Sequence, residues 1–267
     1  MKTVLVLSGG GAKGSIQFGI LKYLYERGLV IDSAYGTSVG SLNAAGLSFC
    51  GIEGMQKVWD SLKKKSDVFK FNWSTLILKS QGIFNASPLK KLLQKVLVGE
   101  PKIPAYACKV SLITGEIKYS SCYDSDYIDS IVASSSVPVL TDPVGEWVDG
   151  GVREQTPLKR AIDAGADKII VILCNPYTEN PEKGKVGNFL QNALRTSEIL
   201  SHEIMINDIQ SCLWYNKMEL PGKRYIKLEV YAPEYLPLGT SDFTQDKIQA
   251  GIKHGYEVAQ KGPIIKE

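Results

Sequence analysis

An α/β domain with a mainly parallel central sheet is the fold class this sequence predicts, and three observations carry that prediction. Residues 3 to 8, TVLVLS, form the continuous apolar run that a strand buried on both faces requires, and glycines break it at once. Ile16, Ile20, Leu21 and Leu24 then recur at helical spacing up to Glu26 and Arg27, with Gly28 as a stop. A short strand around 31 to 35 hands over at GTSVG to a helix running from about Ser38 to Phe49. Strand, helix, strand, helix is a βαβα start, with the right-handed crossover expected between parallel strands.

The later elements follow in order. From about 53 to 99 the pattern is helical and interrupted, with Ser87 as a cap and Pro88 as a first helical residue. Ala105 to Thr114, Gly115 and then EIKYSS predict a hairpin. Residues 124 to 136 predict a helix ended by Pro138, EWVDGG a short strand entering a turn, TPLKRAIDAGA a helix and DKIIVILCN a buried strand. NPYTENPEKGKVGN is a polar loop. A long amphipathic helix over 188 to 213, a late strand at RYIKLEV and a closing helix over 243 to 261 complete the chain. Without repeats or low-complexity tracts, residues 1 to 267 are expected to form a single domain, with 61 to 86 as a candidate cap.

Composition narrows the function classes. The 267 residues are 44% hydrophobic and 22% charged, enough to bury a full core, and a net charge of +3 makes no global demand for nucleic acid. The run Lys63-Lys64-Lys65 is expected to be a solvated face. Cys50, Cys108, Cys122, Cys174 and Cys212 are scattered without metal-ligand spacing, so reduced, mostly buried thiols of a cytosolic-type protein are expected. The start, MKTVLVLSGGG, has too short an apolar run for a signal peptide, and nothing approaches the ~18 apolar residues of a membrane span. Contact with lipid is therefore expected to be peripheral, at the membrane surface.

Three glycine-bearing turns carry the chemistry. The first, Gly9-Gly10-Gly11-Ala12-Lys13-Gly14, offers several N–H groups at a helix N-terminus, a place for negative charge. A phosphate or the oxyanion of an acyl-transfer intermediate could occupy it. GGGAKG also fits G-x-G-x-x-G, with Asp32 near the spacing of a ribose-binding acid, but Asp32 precedes Ala34 and Tyr35 and so belongs at the wrong end of its strand. A P-loop fails because the four-residue spacer is missing. In the second turn, Gly36 and Gly40 frame Ser38 where a strand meets a helix, and glycine's tolerance of φ > 0 suits a bend too sharp for other residues. The third, WVDGG, delivers Asp149 before Gly150 and Gly151 at the sheet edge, where ligands bind in open α/β sheets. Asp149 is the better base for Ser38, since His202 lies mid-helix and His254 lies off the stripe of Ile248, Ile252 and Tyr256.

Taken together, VLSGGGAKGSIQFGILKYLYERGL, YGTSVGSLNAAG, ASSSVPVL and VDGGVREQTPL resemble the patatin-like phospholipase family in content and order, over at least residues 4 to 173. The resemblance implies a three-layer α/β/α domain and a Ser-Asp dyad, Ser38 as nucleophile and Asp149 as general base. It implies an oxyanion hole of backbone N–H groups from Gly9 to Gly14 and no catalytic histidine. Lys13 falls where the family usually has a basic residue.

The expected activity is hydrolysis of a phospholipid or other acyl-ester lipid through an acyl-enzyme, with no metal or organic cofactor. Acyl transfer from the same site, and a phosphate- or lipid-binding module with an inert Ser38, stand as alternatives. In the 61 to 86 segment, Lys63, Lys64, Lys65, Lys70 and Lys79 surround Phe69, Phe71, Trp73, Leu76, Ile77, Leu78 and Phe84. That mixture suits a mobile cap engaging anionic lipid surfaces, or an extra helix packed on the core.

Overall fold

The structure, a computed structural model, describes residues 1–72, 81–181, 183–218 and 222–267. Strand β1 (Thr3–Leu7) leads through a 3₁₀ turn into α1 (Gly14–Glu26), and β2 (Ser33–Thr37) leads into α2 (Val39–Ser61). Two short strands, β3 (Lys70–Phe71) and β4 (Gly82–Asn85), precede α3 (Ser87–Val96). The hairpin β5 (Ala105–Ser111) and β6 (Ile117–Ser121) is followed by α4 (Tyr127–Ser134), β7 (Val139–Thr141), β8 (Trp147–Asp149) and α5 (Leu158–Asp163). Strand β9 (Lys168–Ile172), α6 (Phe189–Lys217), β10 (Lys227–Tyr231), α7 (Gln245–Lys261) and β11 (Ile265–Lys266) follow.

Five strands run parallel in the order β10, β9, β1, β2, β5. Strand β11 flanks β10, and β6 and β8 both flank β5, all three antiparallel. Alternation along β1 explains the layering. Leu5 and Leu7 enter one core with Ile16 and Ile20 of α1, Ala44 of α2 and Ile248 of α7. Val4 and Val6 enter the other with Leu158 of α5 and Met205 and Ile209 of α6. A strand apolar on both faces needs helices on both sides, and the three-layer α/β/α arrangement supplies them. β1 has β2 on one side and β9 on the other, so the chain reverses direction across the sheet there, and the carboxyl ends of β1 and β2 open onto the resulting crevice.

Several boundaries differ from the sequence reading. Helix α2 is broken at Gly51, whose φ of +67° and ψ of −179° are non-helical, close to the end predicted at Phe49, and a second helical run continues to Ser61. The α3 cap is Ala86 rather than Ser87, whose hydroxyl instead donates to Asn85 Oδ1 at 2.6 Å. Lys65 departs from the solvated run, lying 4.0 Å over the Phe84 ring with its pKa lowered by burial. In the candidate cap, Val68 is buried and Phe69 meets Phe243 edge-on, so this flank packs inward, while β3, β4 and β7 form a small separate sheet. Trp73, Leu76, Ile77, Leu78 and Lys79 lie outside the described residues. Among those described, no helix is long and apolar enough to cross a membrane.

A buried amide network ties the crevice to the helices beneath it. Gln17 Nε2 donates to Ser8 O at 2.9 Å and to Ile172 O at 2.8 Å, joining the ends of β1 and β9. Asn43 Nδ2 donates to Gln17 Oε1, and Asn43 Oδ1 accepts from Trp59 Nε1. A buried carbonyl deprived of its donor costs its desolvation energy, so Gln17→Leu should lower stability by about 2 kcal/mol, read as a shifted denaturation midpoint at unchanged slope.

Candidate active site

Ser38 occupies the junction between β2 and α2 at φ 55°, ψ −127°, a conformation that costs a non-glycine residue about 1–3 kcal/mol. The strain therefore sits on the serine, and neither Gly36 nor Gly40 has a positive φ, contrary to the sequence argument. Those two are glycines for lack of room: a Cβ on Gly36 would lie 2.2 Å from the Gly40 carbonyl carbon, and one on Gly40 2.2 Å from Leu7 O. The Ser38 N–H donates to Ser134 Oγ at 3.0 Å, and its carbonyl accepts from the Ser41 N–H and hydroxyl.

Asp149 reaches Ser38 through strand register. Along β5, Thr37 of β2 is opposite Cys108 and Asp149 of β8 is opposite Lys109. Since β6 occupies the other edge of β5, β2 and β8 share one edge and meet there head to head. The Asp149 N–H donates to Ser136 O at 3.0 Å, so the end of α4 steadies the aspartate as well as the serine. Its buried carboxylate accepts the Gly151 N–H at 2.8 Å and shares one cavity with the Ser38 side chain. Burial lifts its pKa to about 6, against the downward pull of the Ser38 hydroxyl and the Gly151 N–H.

The glycine-rich loop is less open than its sequence suggests. The N–H groups of Gly9 and Ala12 donate to Gln155 O and Thr240 O, that of Lys13 to Gly10 O, and that of Gly14 to carbonyls of its own turn. Among the described residues only Gly10 and Gly11 of this loop have N–H groups without a protein acceptor. Lys13 is buried, and its ammonium donates to Asn175 Oδ1 just beyond β9. Gly10, Gly11, Lys13, Ser38 and Asp149 all line one cavity of about 620 Å³.

Other candidates fall away from this cluster. Asp32 lies before β2 and accepts the Thr3 N–H at 2.7 Å, at the end of the sheet opposite the glycine loop. His202 lines the cavity, but its Nε2 lies 2.9 Å from Thr178 O. His254 is buried against the Tyr235 ring, a correction to its expected place off the apolar face of α7, because Tyr235 covers it. The cysteines are free, and four of the five are buried.

A family model described as patatin-like phospholipase matches residues 5–162, a span holding all three glycine turns. The chain belongs to the patatin-like phospholipase family. Curated relatives of this patatin-like chain include lysophospholipase nte1 of Aspergillus terreus, 25% identical over 96% of the chain and 18% of the relative. Lysophospholipase NTE1 of Mycosarcoma maydis is 27% identical over 64% of the chain and 10% of the relative. The patatin-like phospholipase domain-containing protein ZK370.4 of Caenorhabditis elegans is 26% identical over 96% of the chain. This chain thus spans between a tenth and a fifth of the length of such relatives, 20% for the last. VipD from Legionella pneumophila aligns with a TM-score of 0.46 and 13% identity over 97% of this chain and 66% of that one.

Sequence reasoning missed the acidic support behind the Asp-Gly-Gly turn of this patatin-like site. Asp208 of α6 accepts the Thr156 N–H at 2.8 Å, while the Glu154 carbonyl accepts the Thr37 hydroxyl at 3.0 Å. Burial lifts Asp208 to about 7 and, together with Asp208 and Asp163, lifts Glu154 to about 8, with Lys159 opposing. The signal lay in VREQTPL, but the partner carboxylate lies some fifty residues away on another element. A carboxyl raised on folding adds stability that is full below its unfolded pKa of ~4.3 and is lost as pH rises through its folded value. Glu154→Gln should therefore gain melting temperature over the wild type progressively between pH 5 and pH 9. A pH-independent difference would contradict this assignment.

Proposed function

We propose that this chain is a lipid acyl hydrolase in which Ser38 is the nucleophile and Asp149 the general base. The observation that carries the reading is the Ser38 hydroxyl, held in a strained elbow and lining one cavity with the buried Asp149 carboxylate, beside two N–H groups without acceptors. In acylation, Ser38 Oγ attacks the ester carbonyl as its proton passes to Asp149. The oxyanion is received by the Gly10 and Gly11 N–H groups, and the α2 N-terminus favours negative charge on the serine oxygen. Collapse expels the alcohol, which takes the proton from Asp149 and leaves an acyl-Ser38. Water then attacks, giving a proton to Asp149, and the fatty acid departs as that proton returns to Ser38.

Substrate class follows from the cavity and from the relatives' names. The cavity lining includes the apolar set Leu42, Met55, Trp59, Phe84, Leu93 and Leu97, which suits a fatty acyl chain. Relatives named lysophospholipase agree with an acyl-ester lipid. The site uses no metal or organic cofactor, since the dyad and the backbone donors supply the base and the charge stabilisation.

A fluorophosphonate probe should label Ser38 in the wild type and fail with Ser38→Ala, and Asp149→Asn should slow turnover by ~10³-fold or more, the scale of a lost triad member. His202→Ala and His254→Ala should both still label. Absence of labelling in folded wild type would leave the phosphate-binding alternative standing. Activity should fall as pH drops through about 6, where Asp149 takes up the proton it must be free to accept. Alanine scanning would not test the oxyanion donors. A Cβ on Gly10 would strike Cys174 Cβ at 2.3 Å, and Gly11 sits at φ +59° with Thr240 O 2.4 Å from a Cβ. Replacing the Gly11 amide by a backbone ester removes the donor without adding a Cβ and should lower kcat by roughly 10²–10³.

A further inference from the structure

Gln155 stands out among the polar groups the mechanism leaves unused. Its carbonyl accepts from the Gly9 N–H. Its side chain is wedged between the two turns that build the site. A Cβ on Gly9 would lie 2.7 Å from Gln155 Nε2, and one on Gly151 2.2 Å from Gln155 Oε1, so both glycines are bare where the carboxamide passes. The residue is only 6% exposed and lines the cavity of Ser38 and Asp149, yet its carboxamide hydrogen-bonds none of the described residues. Lining the cavity without a protein partner, the carboxamide is free to hydrogen-bond whatever the cavity holds.

The surroundings say which part of a substrate it meets. The apolar lining residues Leu42, Met55, Trp59, Leu93 and Leu97 come from α2, α3 and the segment after it, whereas Gln155 follows β8, Asn175 and Thr178 follow β9, and Ser201 and His202 lie on α6 in the opposite helical layer. An ester whose acyl chain lies along α2 and α3 directs its alcohol half toward the α6 side, where these polar groups stand. We propose that Gln155 is a substrate-binding residue whose carboxamide hydrogen-bonds the alcohol half of the ester, favouring alcohols with further hydroxyls, as in glycerol esters. This rests on the acyl hydrolase reading above. A site built to hydrogen-bond a hydroxyl discriminates strongly against an analogue lacking it, because its own polar group is then left unpaired.

Two probes with the same acyl chain isolate the effect: 1-monolauroylglycerol and p-nitrophenyl laurate. Gln155→Met keeps the length and loses the amide. It should lower the ratio of kcat/KM for the glycerol ester to that for the aryl ester by about tenfold or more, the scale of one hydrogen bond to substrate. Gln155→Glu, which keeps the shape but loses the donor, serves if the methionine variant fails to fold, and should shift the ratio in the same direction. Equal losses on both esters with a lowered melting temperature would make Gln155 a structural wedge and overturn the proposal, as would an unchanged ratio in a folded variant. Hydrolysis of neither ester by the wild type would instead refute the acyl hydrolase reading on which it rests.

Discussion

The head-to-head meeting of β2 and β8 on one edge of β5 is the constraint on which the site depends. A parallel strand ending at Thr37 and an antiparallel strand ending at Asp149 abut there, opposite the neighbouring residues Cys108 and Lys109. Backbone ladders fix strand positions to within a residue, and a one-residue slip would turn the Asp149 side chain to the other face of the sheet. The serine and the carboxylate are thereby brought together by main-chain hydrogen bonds, over a separation of more than a hundred residues in sequence. Neither group has to hold the other in place.

Around that junction the chain uses backbone groups twice over. The last turn of α4 and its cap give a serine hydroxyl to the Ser38 N–H and a carbonyl to the Asp149 N–H. The segment after Asp149 gives carbonyls to the Thr37 hydroxyl and the Gly9 N–H. Every part of the site is thus braced by a segment that carries another part. Such mutual bracing can hold Ser38 in a conformation that would relax if its neighbours yielded. It also consumes most of the glycine loop's donors, leaving those of Gly10 and Gly11 facing the cavity.

The environment of Asp149 completes this economy. A carboxylate in water is too weak a base for a serine hydroxyl, and burial raises it while the Ser38 and Gly151 hydrogen bonds keep it from rising further. The same burial acts on Glu154 and Asp208 behind the turn, so the acidic groups near the site titrate well above the ordinary carboxylate range. Helix α6, which contributes Asp208, also lines the cavity through His202.

The sequence by itself determined the layers and the turns. A five-residue apolar strand such as TVLVL can be satisfied only by burial on both faces, and Gly-Gly-Gly, Gly-x-Ser-x-Gly and Asp-Gly-Gly mark places where the chain must bend sharply or pass close to itself. These are local properties, legible from residue types within one turn or one strand. Ser38, Asp149 and the glycine loop were accordingly legible as candidates, together with the family pattern they form. What local pattern could not disclose was pairing. The register that brings β8 against β2, the burial of His254 under Tyr235 and the passage of Gln155 between Gly9 and Gly151 all depend on residues far apart in sequence. Even the elbow glycines were read for the wrong reason. Their need is for space beside Leu7 and Gly40, a contact that exists only once β1, β2 and α2 have packed, whereas the strained torsion falls on the serine between them.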